Sequence, residues 1–236
     1  RGKAGDWKGT LRSVALNGKL YTVETSGALY ATDPSGAWKK IGGTEFGDTV
    51  FMVASGGKLY TIEKSGSLYR VEPDSGAWKQ VGKGGDWAGT IAACEMGGKL
   101  YSAERSGKLY VTDLSSGAWQ QVGKAEFGGT VFMAAGTDGK LYSLEKNGSL
   151  YRIDPKTGAW QQLGKSGDWG QTIAGTVHNG VLYTVETSGK LYATSLSDGS
   201  WKQLGKAEFG GTRHMAGIGA KLYTIENSGS LYEVTP

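Results

Sequence analysis

VFMVASGGKLYTIEKSGSLYRVEPDSGAWKQVG, residues 50–82, contains four short apolar runs separated by Gly-Gly, Ser-Gly and Asp-Ser-Gly turns. Runs this short, rich in β-branched and aromatic residues and punctuated by glycine, read as strands rather than helices. The Leu-Tyr dipeptide inside the stretch recurs along the whole chain, at Leu20-Tyr21, Leu59-Tyr60, Leu100-Tyr101, Leu141-Tyr142, Leu182-Tyr183 and Leu222-Tyr223. A spacing of roughly forty residues is that of one propeller blade. A second Leu-Tyr follows each first one across a Ser-Gly or Asn-Gly turn. Gly-Ala-Trp or Gly-Ser-Trp then brings in Trp38, Trp78, Trp119, Trp160 or Trp201.

Each copy therefore predicts four strands, in the first copy TLRSVAL, KLYTVE, ALYATD and AWKKIG. Six such copies predict an all-β, six-bladed propeller of four-stranded antiparallel blades, with residues 1–236 as one domain. A solenoid is the alternative, but a ring protects strand edges without capping repeats. The loop leading into the first strand carries Asp6-Trp7, Asp86-Trp87 and Asp168-Trp169 in odd copies and Glu45-Phe46, Glu126-Phe127 and Glu208-Phe209 in even ones. The repeating unit is thus a pair of blades, giving pseudo-threefold symmetry. The sixth copy runs to SLYEVTP without a Gly-Ala-Trp strand, and Arg1-Gly2-Lys3 matches Val81-Gly82-Lys83. A three-stranded sixth blade is expected unless upstream residues or a second chain supply the fourth strand.

Composition sets bounds on function. With 41 Gly, 4 Pro, 12 Tyr and 8 Trp, the chain suits short strands and tight turns. Its 26 basic and 22 acidic residues leave a formal charge of +4, scattered through turns, so nucleic acid is a weak hypothesis. No run approaches membrane-spanning length, so membrane insertion is not expected. No charged-then-apolar leader is visible, but the chain does not begin with Met, and the compartment stays open. Cys94 stands alone in the strand-like IAACEM and is expected to be buried and inert.

In a four-stranded meander, the loop leading into the first strand and the turn between the second and third lie at one end of the sheet. That end gathers the loop aromatics and the Glu closing each second strand: Glu24, Glu63, Glu104, Glu145, Glu186 and Glu226. An aromatic plane beside acceptor groups suits a sugar, which offers an apolar C–H face and a belt of hydroxyl donors. The candidate ligand-binding residues are Asp6, Trp7 and Glu24, Asp86, Trp87 and Glu104, and Asp168, Trp169 and Glu186. They would form about three equivalent clefts, in which the tryptophans stack on sugar rings and the carboxylates accept hydroxyl hydrogen bonds. Against this, a loop aromatic also plugs the gap between blades, and each Glu could instead accept hydrogen bonds from backbone N–H groups in neighbouring turns. For the five outer-strand tryptophans, packing is the expectation.

Catalytic signatures are sparse. His178 and His214 are the only histidines, in non-equivalent copies, with no Cys or second His at metal-ligand spacing. Neither metal nor cofactor is expected. There is no Gly-x-Ser-x-Gly, P-loop, dinucleotide fingerprint or EF-hand. Asn147-Gly148-Ser149 matches a glycosylation sequon, but Asn-Gly is a preferred tight turn and other copies carry Ser-Gly there. An enzyme would need a polar cluster that breaks the repeat, for which only Arg12, Arg213, His178 and His214 stand out.

Residues 50–82 resemble the repeat of the tectonin and tachylectin propeller lectins, in which a small-residue strand, a Gly turn, an aromatic-Val strand, a Gly turn, an Ile-Tyr-Arg strand and a Trp strand follow in this order. Tyr21 to Glu24 departs from the family's Trp-Gly-Val-Asn, and kelch-type propellers are a competing relative. The resemblance implies a multivalent lectin of innate defence, whose partners are bacterial lipopolysaccharide or other surface glycans, as monomer or oligomer. A protein-interaction scaffold, or a consensus or reconstructed repeat propeller binding little or nothing, are the other readings.

Overall fold

The computed structural model describes every residue from Arg1 to Pro236. It contains only strands and turns, arranged in six antiparallel meanders in which neighbours in the chain are neighbours in the sheet. The first sheet holds β1 (Thr10–Leu16), β2 (Lys19–Glu24), β3 (Leu29–Thr32) and β4 (Trp38–Ile41). The second holds β5 (Thr49–Ser55), β6 (Lys58–Glu63), β7 (Leu68–Val71) and β8 (Trp78–Val81). The third is β9 (Thr90–Met96), β10 (Lys99–Glu104), β11 (Leu109–Asp113) and β12 (Trp119–Val122); the fourth is β13 (Thr130–Ala135), β14 (Leu141–Glu145), β15 (Leu150–Ile153) and β16 (Trp160–Leu163). The fifth is β17 (Thr172–His178), β18 (Val181–Glu186), β19 (Leu191–Ser195) and β20 (Trp201–Leu204). The sixth has three strands, β21 (Thr212–Ile218), β22 (Lys221–Glu226) and β23 (Leu231–Val234). The fold is an all-β, six-bladed propeller.

The chain divides into two compact units, Arg1–Ala88 with Gly211–Pro236, and Gly89–Gly210. In the first, β1 lies beside both β5 and β21, and the core joins Tyr21, Val23 and Leu29 of the first sheet to Met52, Leu59 and Val71 of the second. In the second unit, β13 lies beside β9 and β17, and Ala103, Leu109 and Val111 meet Met133, Leu141 and Ile153. The second strands are buried on both faces, which is why KLYTVE and its relatives read as near-continuous apolar runs rather than alternating ones.

Each first strand opens with a β-bulge: Thr10 pairs with Glu24 and Arg12 with Val23, leaving Leu11 as the extra residue. The same slip recurs at Val50, Ile91, Val131, Ile173 and Arg213. A bulge adds one residue on one strand and changes the side to which the following side chains point. Here it puts each leading Thr directly across from the Glu closing the second strand. At the sixth blade, the Arg1 amino group donates to the Leu231 carbonyl, and the guanidinium holds Glu233 Oε2 at 2.7 Å. Arg1 thereby stands opposite Leu231 as Val81 stands opposite Leu68.

Candidate functional site

The leading loops and the Ser-Gly turns do share one end of each sheet, and a repeated hydrogen bond joins them. The Trp7 N–H donates to the Gly229 carbonyl at 3.1 Å, Phe46 to Gly27 at 3.0 Å, Trp87 to Gly66 at 3.1 Å, Phe127 to Gly107 at 2.8 Å, Trp169 to Gly148 at 3.1 Å and Phe209 to Gly189 at 2.9 Å. Five of the six aromatic side chains are buried, and Phe209 is partly exposed. Trp7, Trp87 and Trp169 are only 2–4% exposed. Trp7 packs among Leu20, Ala216, Ile218, Tyr223 and Leu231, and Trp169 among Leu150, Leu163 and Leu182. The expected stacking of these three indoles on sugar rings is therefore corrected: an enclosed ring has no face to offer a ligand. Trp7 fills apolar space between the first and sixth sheets, and Trp169 between the fourth and fifth.

The closing glutamates are also largely engaged. The hydroxyls of Thr10, Thr49, Thr130 and Thr212 donate to Oε1 of Glu24, Glu63, Glu145 and Glu226 at 2.6–2.8 Å. The partner is a side chain brought across by the bulge, not a turn N–H. Burial raises the pKa of Glu24, Glu63 and Glu145 above the usual carboxylate value, opposed by these hydroxyl bonds, and burial likewise raises Glu104. Glu186 receives Ser188 Oγ at 3.4 Å. Asp6 and Asp168 turn outward: their Oδ2 atoms accept the indole N–H of Trp38 and Trp201, each at 3.2 Å, and Glu126 Oε2 accepts that of Trp160 at 3.1 Å. Asp86 occupies the same loop position.

The accessible aromatics are the outer-strand tryptophans, expected to be packed. Trp38, Trp78, Trp119, Trp160 and Trp201 are 47–51% exposed. Each meets the tyrosine of the adjoining third strand edge-on, with centroids 4.6–5.2 Å apart, as in Tyr69–Trp78 and Tyr151–Trp160. A signal for this lay in the sequence. In Trp-x-x-apolar, strand alternation sends the first and last residues to opposite faces, and Ile41 and Val81 take the buried one.

Two equivalent clefts open beside these pairs. In the second blade Glu45, Asp48, Thr61, Glu63, Ser65, Tyr69 and Trp78 line a cleft of about 240 Å³ floored by buried Phe46. In the fourth, Glu126, Gly129, Glu145, Lys146, Asn147, Tyr151 and Trp160 line one of about 320 Å³ above Phe127. Asp48 stands where the fourth blade has Gly129, so the second cleft has one carboxylate more, part of whose charge is offset by Lys64 at 3.0 Å. Both belong to blades whose leading loop carries Phe, a smaller ring than the indole of the odd blades.

Of the residues that break the repeat, Arg12, Arg213 and His214 come together in the first unit. Arg12 donates to the carbonyls of Val50 and Leu11, Arg213 to those of Trp7 and Lys8, and His214 Nε2 lies 3.2 Å from the Thr10 carbonyl. Arg12 Nε and Nη1 and Arg213 Nη2 thus serve backbone carbonyls, while the buried Arg213 Nε has no hydrogen-bond partner. His178 instead contacts Asn179 at the far end of β17. No group of three His, Cys, Asp or Glu residues is arranged to hold a metal ion, and no helix is long and apolar enough to cross a membrane.

Comparison with known proteins assigns the family. The family described as outer membrane protein assembly factor BamB matches residues 64–213. This chain belongs to that family. No curated protein matches it. Among solved structures it is similar to virginiamycin B lyase from Staphylococcus aureus, at 14% identity and a TM-score of 0.65, covering 99% of this chain and 86% of that one. It is also similar to YCF48 bound to a D1 peptide, at 14% identity and a TM-score of 0.64 over 100% and 81% of the two chains. A third similarity is to a symmetrical protein of de novo evolutionary emergence, at 18% identity and a TM-score of 0.59 over 81% and 95%. These likenesses establish the propeller and nothing finer. The BamB assignment rests on the family match, and the expected resemblance to the tectonin and tachylectin lectins is not shown by any comparison.

Proposed function

We propose that this BamB-family propeller is a multivalent carbohydrate-binding protein, not an enzyme, and that its sugar sites are the Tyr69–Trp78 cleft of the second blade and the Tyr151–Trp160 cleft of the fourth. The observation that carries the reading is a half-exposed indole beside ionisable oxygens, repeated in two clefts of similar size. The indole supports C–H stacking, while Glu45, Asp48 and Glu126 supply acceptors for sugar hydroxyls. The Tyr partners hold the indoles edge-on, so little side-chain freedom is lost on binding. Clefts this small suit a terminal sugar held weakly, with affinity raised when several sites meet one surface.

A glycan array spanning bacterial, fungal and animal sugars, followed by calorimetry, tests the reading. Trp78→Ala and Trp160→Ala are each expected to weaken binding at their own cleft by roughly 3–10-fold without unfolding the protein. Silence of the folded protein on the array, or full binding by the double variant, would remove it.

A second reading, a scaffold that binds a peptide or partner domain, is favoured by the family description as an assembly factor and by the acidic character of the second cleft. An aromatic wall with carboxylates also suits a Lys or Arg side chain. Binding of a Lys-containing peptide that is lost in Trp78→Ala and unaffected by saturating sugar would favour the scaffold.

A further inference from the structure

The clefts of the second and fourth blades differ in charge. In the second, Glu45, Asp48 and Glu63 line the cleft and no basic side chain does; Lys64 pairs with Asp48 at 3.0 Å from outside the lining. In the fourth, Lys146 is part of the wall, Gly129 replaces Asp48, and Glu126 is tied to the Trp160 indole at 3.1 Å. The inner ends differ as well. Ser143 of β14 donates to Glu145 Oε1 at 2.9 Å, whereas Thr61 of β6, 2% exposed, lines the second cleft with a hydroxyl that has no hydrogen-bond partner. Glu63 accepts the Thr49 hydroxyl on Oε1 at 2.8 Å, and its buried Oε2 is likewise unpartnered. A buried hydroxyl and a buried carboxylate oxygen left unpaired beside a cleft cost free energy that a bound donor recovers.

We infer that the second-blade cleft selects a sugar carrying a free, protonated amino group, with the ring on Trp78 and the ammonium among Glu45, Asp48 and Glu63; this rests on the sugar-binding reading and narrows it. An ammonium brings three donors and no acceptor, the complement of a wall made of carboxylate and hydroxyl oxygens. A sugar hydroxyl finds acceptors in both clefts. The surplus negative charge is what the second cleft adds, and it favours a cation over a neutral ring of the same shape. The Trp78 indole acts in the same direction, since a cation near an aromatic face gains from the ring quadrupole. In the fourth cleft Lys146 repels an ammonium, which leaves that cleft to neutral sugars.

Methyl β-glucosaminide, methyl β-glucoside and n-butylamine, each titrated into the intact protein at a pH where the amine is protonated and the carboxylates are ionised, test this. Binding is followed by the indole N–H signals in nitrogen–proton correlation spectra, with Trp78→Ala and Trp160→Ala assigning the signals of the two clefts. The Trp78 signal is expected to report the glucosaminide binding roughly 5-fold or more tighter than the glucoside, and the Trp160 signal no such preference. Glu45→Gln combined with Asp48→Asn changes two exposed side chains and keeps an acceptor oxygen on each. In that double variant the ratio of the two affinities should fall toward one. A ratio near one in the native protein, a ratio undiminished in the double variant, or butylamine binding as tightly as the glucosaminide would overturn the inference, and the glucoside's own shift of Trp78 then tells whether sugar binding stands. Silence of Trp78 toward both glycosides would remove sugar binding at this cleft and the inference with it.

Discussion

The Cys94 thiol is buried in β9 opposite Tyr101, and burial pushes its pKa far above that of a free thiol. Reaction with an alkylating reagent should be slow in the native protein and should accelerate with denaturant in step with unfolding; fast native labelling would contradict it. His214 is governed by the same physics with the opposite charge. Burial, aided by the charges of Arg213 and Arg12 and opposed by the Thr10 carbonyl, lowers its pKa from 6.5 to about 4. The unfolded chain thus takes up this proton before the folded one as pH falls. Its penalty is absent above about pH 6.5 and grows toward pH 4, reaching about 2 kcal/mol near pH 5. His214→Gln should therefore flatten the fall in stability between about pH 7 and pH 5, read by urea unfolding, and identical slopes would refute the assignment.

At the scale of elements, the bulge, the leading loop and the turn glycines work as one device repeated in every blade. The bulge sets Thr49 against Glu63. Thr49→Val leaves that largely buried carboxylate without its donor and should cost about 1–3 kcal/mol. The two tryptophan classes separate cleanly. Trp169→Ala empties a buried site and should cost about 3–5 kcal/mol, whereas Trp160→Ala, on an exposed edge, should stay within about 1 kcal/mol. Thermal or urea unfolding of the two side by side decides it. Gly42 and Gly76 bring adjacent outer strands together. Both have positive φ, and a Cβ on Gly76 would meet the Gly42 Cα at 2.7 Å. Backbone contact of that kind explains why the outer strand ends in Gly and the next Trp strand follows one.

For the whole molecule, the proposed function carries a stoichiometric consequence. If the second and fourth blades each hold a sugar, calorimetry should give two sites per chain, and Trp78→Ala or Trp160→Ala should weaken one of them while the other keeps its affinity. On a glycan-coated surface, loss of one cleft should cost more than the change in single-site affinity, because the second contact then has no partner. Two sites of unchanged affinity in both variants would place binding elsewhere.

The repeat of Leu-Tyr, Ser-Gly and Trp determined by itself that the chain folds into six antiparallel blades, because strand period and turn chemistry are local and six agreeing copies leave one reading. Which tryptophans face solvent was decided only by tertiary structure. Trp7 and Trp78 are alike as residues, and both follow glycine-rich turns. One lands in an apolar gap that must be filled and the other on an edge strand whose opposite face is already taken by Val81. Burial depends on what the neighbouring sheet supplies; the Trp-x-x-apolar pattern says only that Trp78 and Val81 take opposite faces, not which face is covered.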